Sequence, residues 1–340
     1  MMAFVPAVCY KSRMRSTYLF ASATLALILA GCGPKESPSA VAPVAVPAAK
    51  SRGTIALSVL SLTNPFFKTI ADAMQVEAAQ HGYDMLIVSG DFDVAKQQNQ
   101  VKDFIVRKAA AIVLTPCDSK AIGPAIREAN AAGIPVFTAD IACLDPTAKV
   151  VTHIATDNYS GGRQAGEAMI EALGGRGGKV AILDHPVVES VMLRTKGFRE
   201  VIEAHNAKGA GKIEIVATLP GGGDKEPSFR ATEDLIQAHA GLNGIFAIND
   251  PSALGAIAAL EKAGKLAQVK IVGFDGMPEG KQAIKAGKIY ADPIQFPDRI
   301  GQATVKAIMR HSAGEQLPKE QLIPTALYRQ ADGAKDAALK

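Results

Sequence analysis

The chain has 340 residues, 48% of them hydrophobic and 21% charged, with a formal net charge of +4. That composition fits a soluble globular protein with room for two lobes. No Lys/Arg cluster is interleaved with aromatics, which excludes a nucleic-acid surface, and no Cys/His spacing resembles a metal site.

The first element is a leader. Lys11, Arg13 and Arg15 precede an uncharged, mostly apolar run from Thr17 to Ala30. A basic segment, a short apolar segment and small residues make a secretory signal over residues 1–31. The run is too short to span a bilayer as a stable helix. Met14 with Arg15 would open a compact signal unaided, so residues 1–13 look surplus to it. The ending Leu29-Ala30-Gly31-Cys32 resembles the bacterial lipobox. The resemblance implies that Cys32 is lipidated, becomes the mature N-terminus and tethers an exported protein to a membrane, in the periplasm or at the cell surface. The alternative is an ordinary signal peptide with a chance cysteine.

Residues 32–53 carry Pro34, Pro38, Pro43 and Pro47 among Ala and Val, which reads as an extended, flexible tether. Cys9 belongs to the leader. Cys117 and Cys143 remain, and a disulfide between them is compatible with export. Two free thiols are the alternative.

Folded sequence begins at Thr54, where apolar runs of strand length alternate with helical patterns. Strands are expected at Ile55–Leu60, Met85–Val88, Ala111–Thr115, Val136–Ala139 and Val150–Ala155. Helical spacing links Phe67, Ile70, Ala71, Met74 and Ala78 before Gly82, then Val101, Phe104 and Ile105, then Ile122, Ile126 and Ala129 before Gly133. The series restarts with strands at Val180–Leu183, Ile213–Ala217, Gly244–Ile248 and Lys270–Gly273. A helix carrying Phe198, Val201 and Ile202 lies among them. Continuous apolar strands imply parallel sheets covered by helices, hence two α/β lobes.

Ligands of open parallel sheets bind beyond the carboxyl ends of the strands. Those positions hold Thr63-Asn64-Pro65, Pro116-Cys117-Asp118, Asp140, Asp157-Asn158, Asp184-His185, Asn249-Asp250 and Asp275-Gly276. Some of these merely cap the next helix. Asn64 before Pro65 and Asp118 before Ser119 are the capping candidates.

These segments, taken in order, resemble the periplasmic ribose-binding protein family, the pentose/hexose group of ABC-importer substrate-binding proteins. The likeness runs through Asn64-Pro65-Phe66-Phe67, Ala139-Asp140, His153 to Asn158, Phe246 to Asp250, Val272 to Gly276 and Gln295 to Asp298, covering residues 54 to about 325. It implies two doubly wound lobes joined by three crossovers, near Thr156, Gln295 and Pro324. One lobe would hold residues 54–156 plus 296–324, the other 157–295 plus 325–340. By the same likeness Asn64, Phe66, Phe67, Asp140, Arg194, Asn249, Asp275 and Gln295 bind a monosaccharide or polyol without a cofactor. The partners implied are an ABC permease and its ATPase, with a monomeric receptor.

The chemistry suits a sugar. Arg supplies several donors, a carboxylate accepts hydroxyl protons, and Phe66 and Phe67 offer flat faces to ring C–H groups. Plain core packing is the other explanation of the two rings. Three family positions differ. The expected Ser aligns with Leu60, although Ser61 is adjacent, an expected Arg is Ile141, and a second-lobe aromatic is Gly223. Ribose itself is therefore doubtful; Asp184 or His185 is a candidate substitute contact, against the plainer reading of a core or solvent-facing histidine.

Three other functions compete. A lac-repressor-type domain would need a basic helix-turn-helix near its N-terminus, where this chain has a signal and a tether. A sensing receptor would pair with a histidine kinase instead of an importer. A glycosidase would use Asp140 and Asp275 as its carboxylate pair. The likeness favours a non-catalytic sugar receptor.

Overall fold

The computed structural model describes residues 51–209 and 211–339. The leader, Cys32 and the tether as far as residue 50 lie outside the described residues. The tether's last residues are engaged: the Ser51 hydroxyl donates to Asp84 at 2.7 Å, and Arg52 N–H donates to the Gly82 carbonyl at 2.8 Å.

Two six-stranded sheets form the protein. The first comprises β1 (Thr54–Val59), β2 (Asp84–Ser89), β3 (Ala111–Leu114), β4 (Val136–Ala139), β5 (His153–Thr156) and β11 (Glu320–Ile323), in the order β11-β5-β4-β3-β1-β2 and parallel throughout. Alternate strand residues feed two apolar layers. Leu57, Val59, Val113 and Phe137 pack with helix α1 (Pro65–Gln80) and helix α9 (Pro297–Ser312). Ala56, Ile112, Leu114 and Val136 pack with α2 (Val94–Val106) and α3 (Gly123–Ala131). Burial on both faces explains why these strands read as unbroken apolar runs.

The second sheet holds β6 (Gly178–Asp184), β7 (Ile213–Pro220), β8 (Leu242–Ala247), β9 (Lys270–Val272), β10 (Ala291–Ile294) and β12 (Ala326–Arg329) in the order β12-β10-β9-β8-β6-β7. Only β12 runs antiparallel, against β10. Helices α4 (Asn158–Ala172) and α5 (Glu189–Ala207) cover one face, while α6 (Lys225–Ala238), α7 (Asp250–Lys262) and α8 (Pro278–Lys285) cover the other. A short α10 (Gln330–Lys335) follows β12.

The chain passes between the sheets three times: from β5 into α4, from β10 into α9 and from β11 into β12. The lobes also meet at Ser119. Its N–H donates to the Val187 carbonyl at 3.0 Å, and its hydroxyl accepts from Glu189 N–H at 2.9 Å. No described helix is long and apolar enough to cross a membrane.

Two sequence expectations are corrected, and the choice between a disulfide and two free thiols is decided. Strand β5 begins at His153 rather than Val150, after a bend at Val151. Asp118 caps a turn, accepting from Lys120 and Ala121 N–H, and α3 starts only at Gly123. Cys117 and Cys143 are both free: one lies in the α1-side core, the other against the α2–α3 layer, so the sheet separates their surroundings.

Candidate ligand-binding site

Between the lobes lies a cleft, and all eight sequence-derived site residues line it.

The first lobe contributes Asn64, Phe66, Phe67 and Asp140. Asn64 is the N-cap of α1: its Oδ1 accepts from Phe66 N–H at 2.9 Å, which turns its amide nitrogen toward other partners. Pro65 then fits the first helical turn and carries Phe66 and Phe67 inward. Their rings meet edge to face, centroids 5.4 Å apart, so the pair is both core and cleft wall. Asp140 follows β4 with φ +66°, a conformation few non-glycine residues adopt. Its N–H donates to the Ile154 carbonyl at 2.8 Å, while its Oδ1 is buried without a hydrogen-bond partner. Burial raises its pKa to about 7; nearby Arg194 opposes that rise, while Asp275 and Glu189 add to it.

Arg194 is the hub of the second lobe and is buried to 4% exposure. Its Nε donates to Asn158 Oδ1 at 2.8 Å; its Nη1 donates to the Ile248 carbonyl at 2.8 Å and to Asp275 Oδ1 at 3.1 Å. The guanidinium carbon lies 3.9 Å from the centre of the Phe274 ring. Gln295 Nε2 donates to the same Asp275 oxygen at 2.6 Å, leaving Gln295 Oε1 buried and unpartnered. Asp275 takes φ +101°, so both cleft carboxylates occupy rare backbone conformations. Such outliers collect at functional sites. Asn249 caps α7 through Oδ1 and donates to the Gly223 carbonyl at 2.9 Å, which leaves one N–H for another partner.

Glycines let α5 present Arg194 here. A Cβ on Gly162 would stand 2.1 Å from the Arg194 carbonyl oxygen, and one on Gly197 would stand 2.3 Å from that of Tyr159. Helices α4 and α5 therefore touch backbone to backbone. Phe198 stacks on Phe246 at 4.5 Å beneath them.

The three departures also line or border the cleft. Leu60 and Ile141 make apolar wall, and Gly223 leaves its side of the cleft without a side chain. His185 lines the cleft, while Asp184 does not: its Oδ1 accepts from Thr195 and from His185 N–H. Sequence reasoning passed over Phe92, Val188, Ser190 and Val191, which also line the site, and Phe274, which backs Arg194.

Two α/β lobes with a polar cleft between them at the strand ends define the periplasmic-binding-protein architecture. The family model for the periplasmic binding protein domain matches residues 55–316. The chain is 37% identical to the ribose import binding protein of Salmonella typhimurium over 79% of this chain and 88% of that protein. It is 34% identical to the D-apiose import binding protein of Paraburkholderia graminis over 84% of this chain and 90% of that one. Among solved structures, an ABC transporter solute-binding protein from Bacillus halodurans with bound myo-inositol superposes with a TM-score of 0.77 at 27% identity, covering 86% of this chain and 99% of that one. The chain belongs to the ribose-type group of the periplasmic binding protein family.

Proposed function

We propose that this chain is the exported, non-catalytic substrate-binding component of an ABC sugar importer, holding one neutral monosaccharide or polyol between its lobes. The observation that carries this is the set of buried, unpartnered polar atoms facing one small cleft: Asp140 Oδ1 from one lobe, Gln295 Oε1 at the crossing, and His185 Nε2 from the other. Each costs free energy until a hydroxyl meets it. Sugar hydroxyls both donate and accept, so one ligand can satisfy all three.

Charge supports a neutral ligand. Arg194 is the one cation among the cleft-lining residues, and Asp275 already neutralises it. Hydrolysis has no comparable support: Arg194 and Gln295 both donate to Asp275 Oδ1 and hold it as an anchor. The proteins named above are binding proteins, one for ribose, one for D-apiose and one holding myo-inositol.

Because ligand groups come from both lobes, binding favours the closed state, with the three crossings as hinge. Cys32 would carry the lipid that keeps the receptor beside its permease and ATPase. A thermal-shift screen across pentoses, hexoses and polyols tests the proposal, since ligand bound only to folded protein raises its stability. A clear melting shift with one sugar class supports it; none with any neutral sugar or polyol refutes it.

A further inference from the structure

Phe92 sits in a turn whose geometry gives no reason for an aromatic ring. Asp91 and Phe92 both take positive φ, 53° and 60°. For a phenylalanine that conformation is an outlier. The turn is nevertheless pinned. The Asp91 carboxylate accepts from the Ser89 hydroxyl and the Lys96 ammonium. Phe92 N–H donates to the Leu60 carbonyl at 3.1 Å, and Asp93 caps α2 through Lys96 N–H at 3.0 Å.

So held, the ring reaches the cleft while remaining 36% exposed. It stands edge to face with His185 of the other lobe, centroids 6.2 Å apart at 80°. Beside them is the bare backbone of Gly223. A Cβ there would lie 3.5 Å from Asn249 Nδ2 and 3.8 Å from His185 Cδ2, in ordinary contact, so Asn249 and His185 are the side chains that border Gly223. His185 Nε2 is buried and has no protein partner.

We propose that Phe92 and His185 form a third wall of the ligand site, beside the bare backbone of Gly223: Phe92 covers a C–H face of the sugar, and His185 Nε2 bonds one of its hydroxyls. The inference rests on the sugar-binding proposal and names the residues that set its selectivity. A hydroxyl meets either tautomer of the imidazole, as acceptor or as donor. The strained turn then has a use, since it aims a flat apolar group that no core requires.

Isothermal calorimetry with D-ribose, D-apiose and myo-inositol, on wild type, Phe92→Ala, Phe92→Leu and His185→Ala, tests this. For whichever probe wild type binds best, Phe92→Ala and His185→Ala are expected to weaken binding about tenfold or more, as for loss of one stacking or hydrogen-bonding contact. Phe92→Leu should fall between. Melting without sugar checks that each variant folds. Unchanged Kd in both alanine variants overturns the inference while leaving the sugar site intact. So does a liganded structure with both rings beyond about 4.5 Å of the sugar. If folded wild type binds no neutral sugar or polyol, the sugar-binding proposal fails, and this inference with it.

Discussion

Arg194 donates to Asp275 across 3.1 Å, and both side chains are buried to 4% exposure or less within the same lobe. The pair therefore persists whether the cleft is open or closed. Sequence reasoning expects a cleft arginine to be solvated enough for Arg194→Ala to spare the fold. The structure gives it a second task, because Asn158, the Ile248 carbonyl and Asp275 all depend on it. Removing one partner of a buried pair costs about 3–5 kcal/mol. Arg194→Ala should lower the melting temperature of ligand-free protein as well as abolish sugar binding. Calorimetric melting and titration of one preparation check both. Full stability with lost binding would assign Arg194 to the ligand alone.

Protonation should bias the lobes. Burial lifts Asp140 to about 7, and it lifts Glu189, beside the Ser119 contact, to about 7 with help from Glu320. Arg194 opposes both shifts, and Asp275 reinforces that of Asp140. An open cleft returns such groups toward the ordinary range near 4. The closed form then binds more protons than the open one, so its advantage is complete below about pH 4 and declines as pH rises toward 7. Ligand-free protein should scatter as a more compact particle at pH 5 than at pH 8. Equal dimensions at the two values would contradict the assignment.

Gly162 sets how closely α5 lies on α4. Alanine normally improves a helix by up to about 1 kcal/mol over glycine. Here its Cβ would meet the Arg194 carbonyl oxygen at 2.1 Å, and overpacking costs typically about 1–3 kcal/mol. Gly162→Ala should therefore destabilise the protein and weaken sugar binding by displacing Arg194. Gly241→Ala, where a Cβ meets nothing within 4 Å, should change neither. Chemical denaturation and titration of the two variants decide it.

Cys32→Ser should abolish acylation, given the Leu29-Ala30-Gly31-Cys32 ending. Metabolic labelling with a fatty-acid probe reads this directly. Equal labelling of wild type and variant would remove the anchor from the account.

The first four strands and the first part of the second sheet were legible because buried parallel strands are unbroken apolar runs. Strand β10 was not: Ala291-Asp292-Pro293-Ile294 contains a buried acid and a proline. Strands β11 and β12 are sheet edges with half-exposed, mixed residues, and they too carried no periodic signal. In the site, the strand-end polar residues could be named because the fold class fixes where ligands enter. Phe92 could not, since Asp91-Phe92-Asp93 reads as a solvated turn until its backbone is seen. Nor could the load on Arg194, which depends on how closely α4 and α5 pack.

The central claim is that one sugar is held jointly by Asp140 and the Arg194 lobe. Titration calorimetry on wild type and Asp140→Asn, with the sugar chosen by thermal shift, tests it most directly. The account predicts one sugar per chain, bound at micromolar Kd or tighter. At pH 8, above the Asp140 pKa of about 7, it predicts a loss of roughly 1.5–3 kcal/mol in the variant, about 10- to 150-fold, because a charge-assisted hydrogen bond is weakened. The same Kd in a folded Asp140→Asn protein, or no saturable binding of any neutral sugar or polyol by wild type, would contradict it.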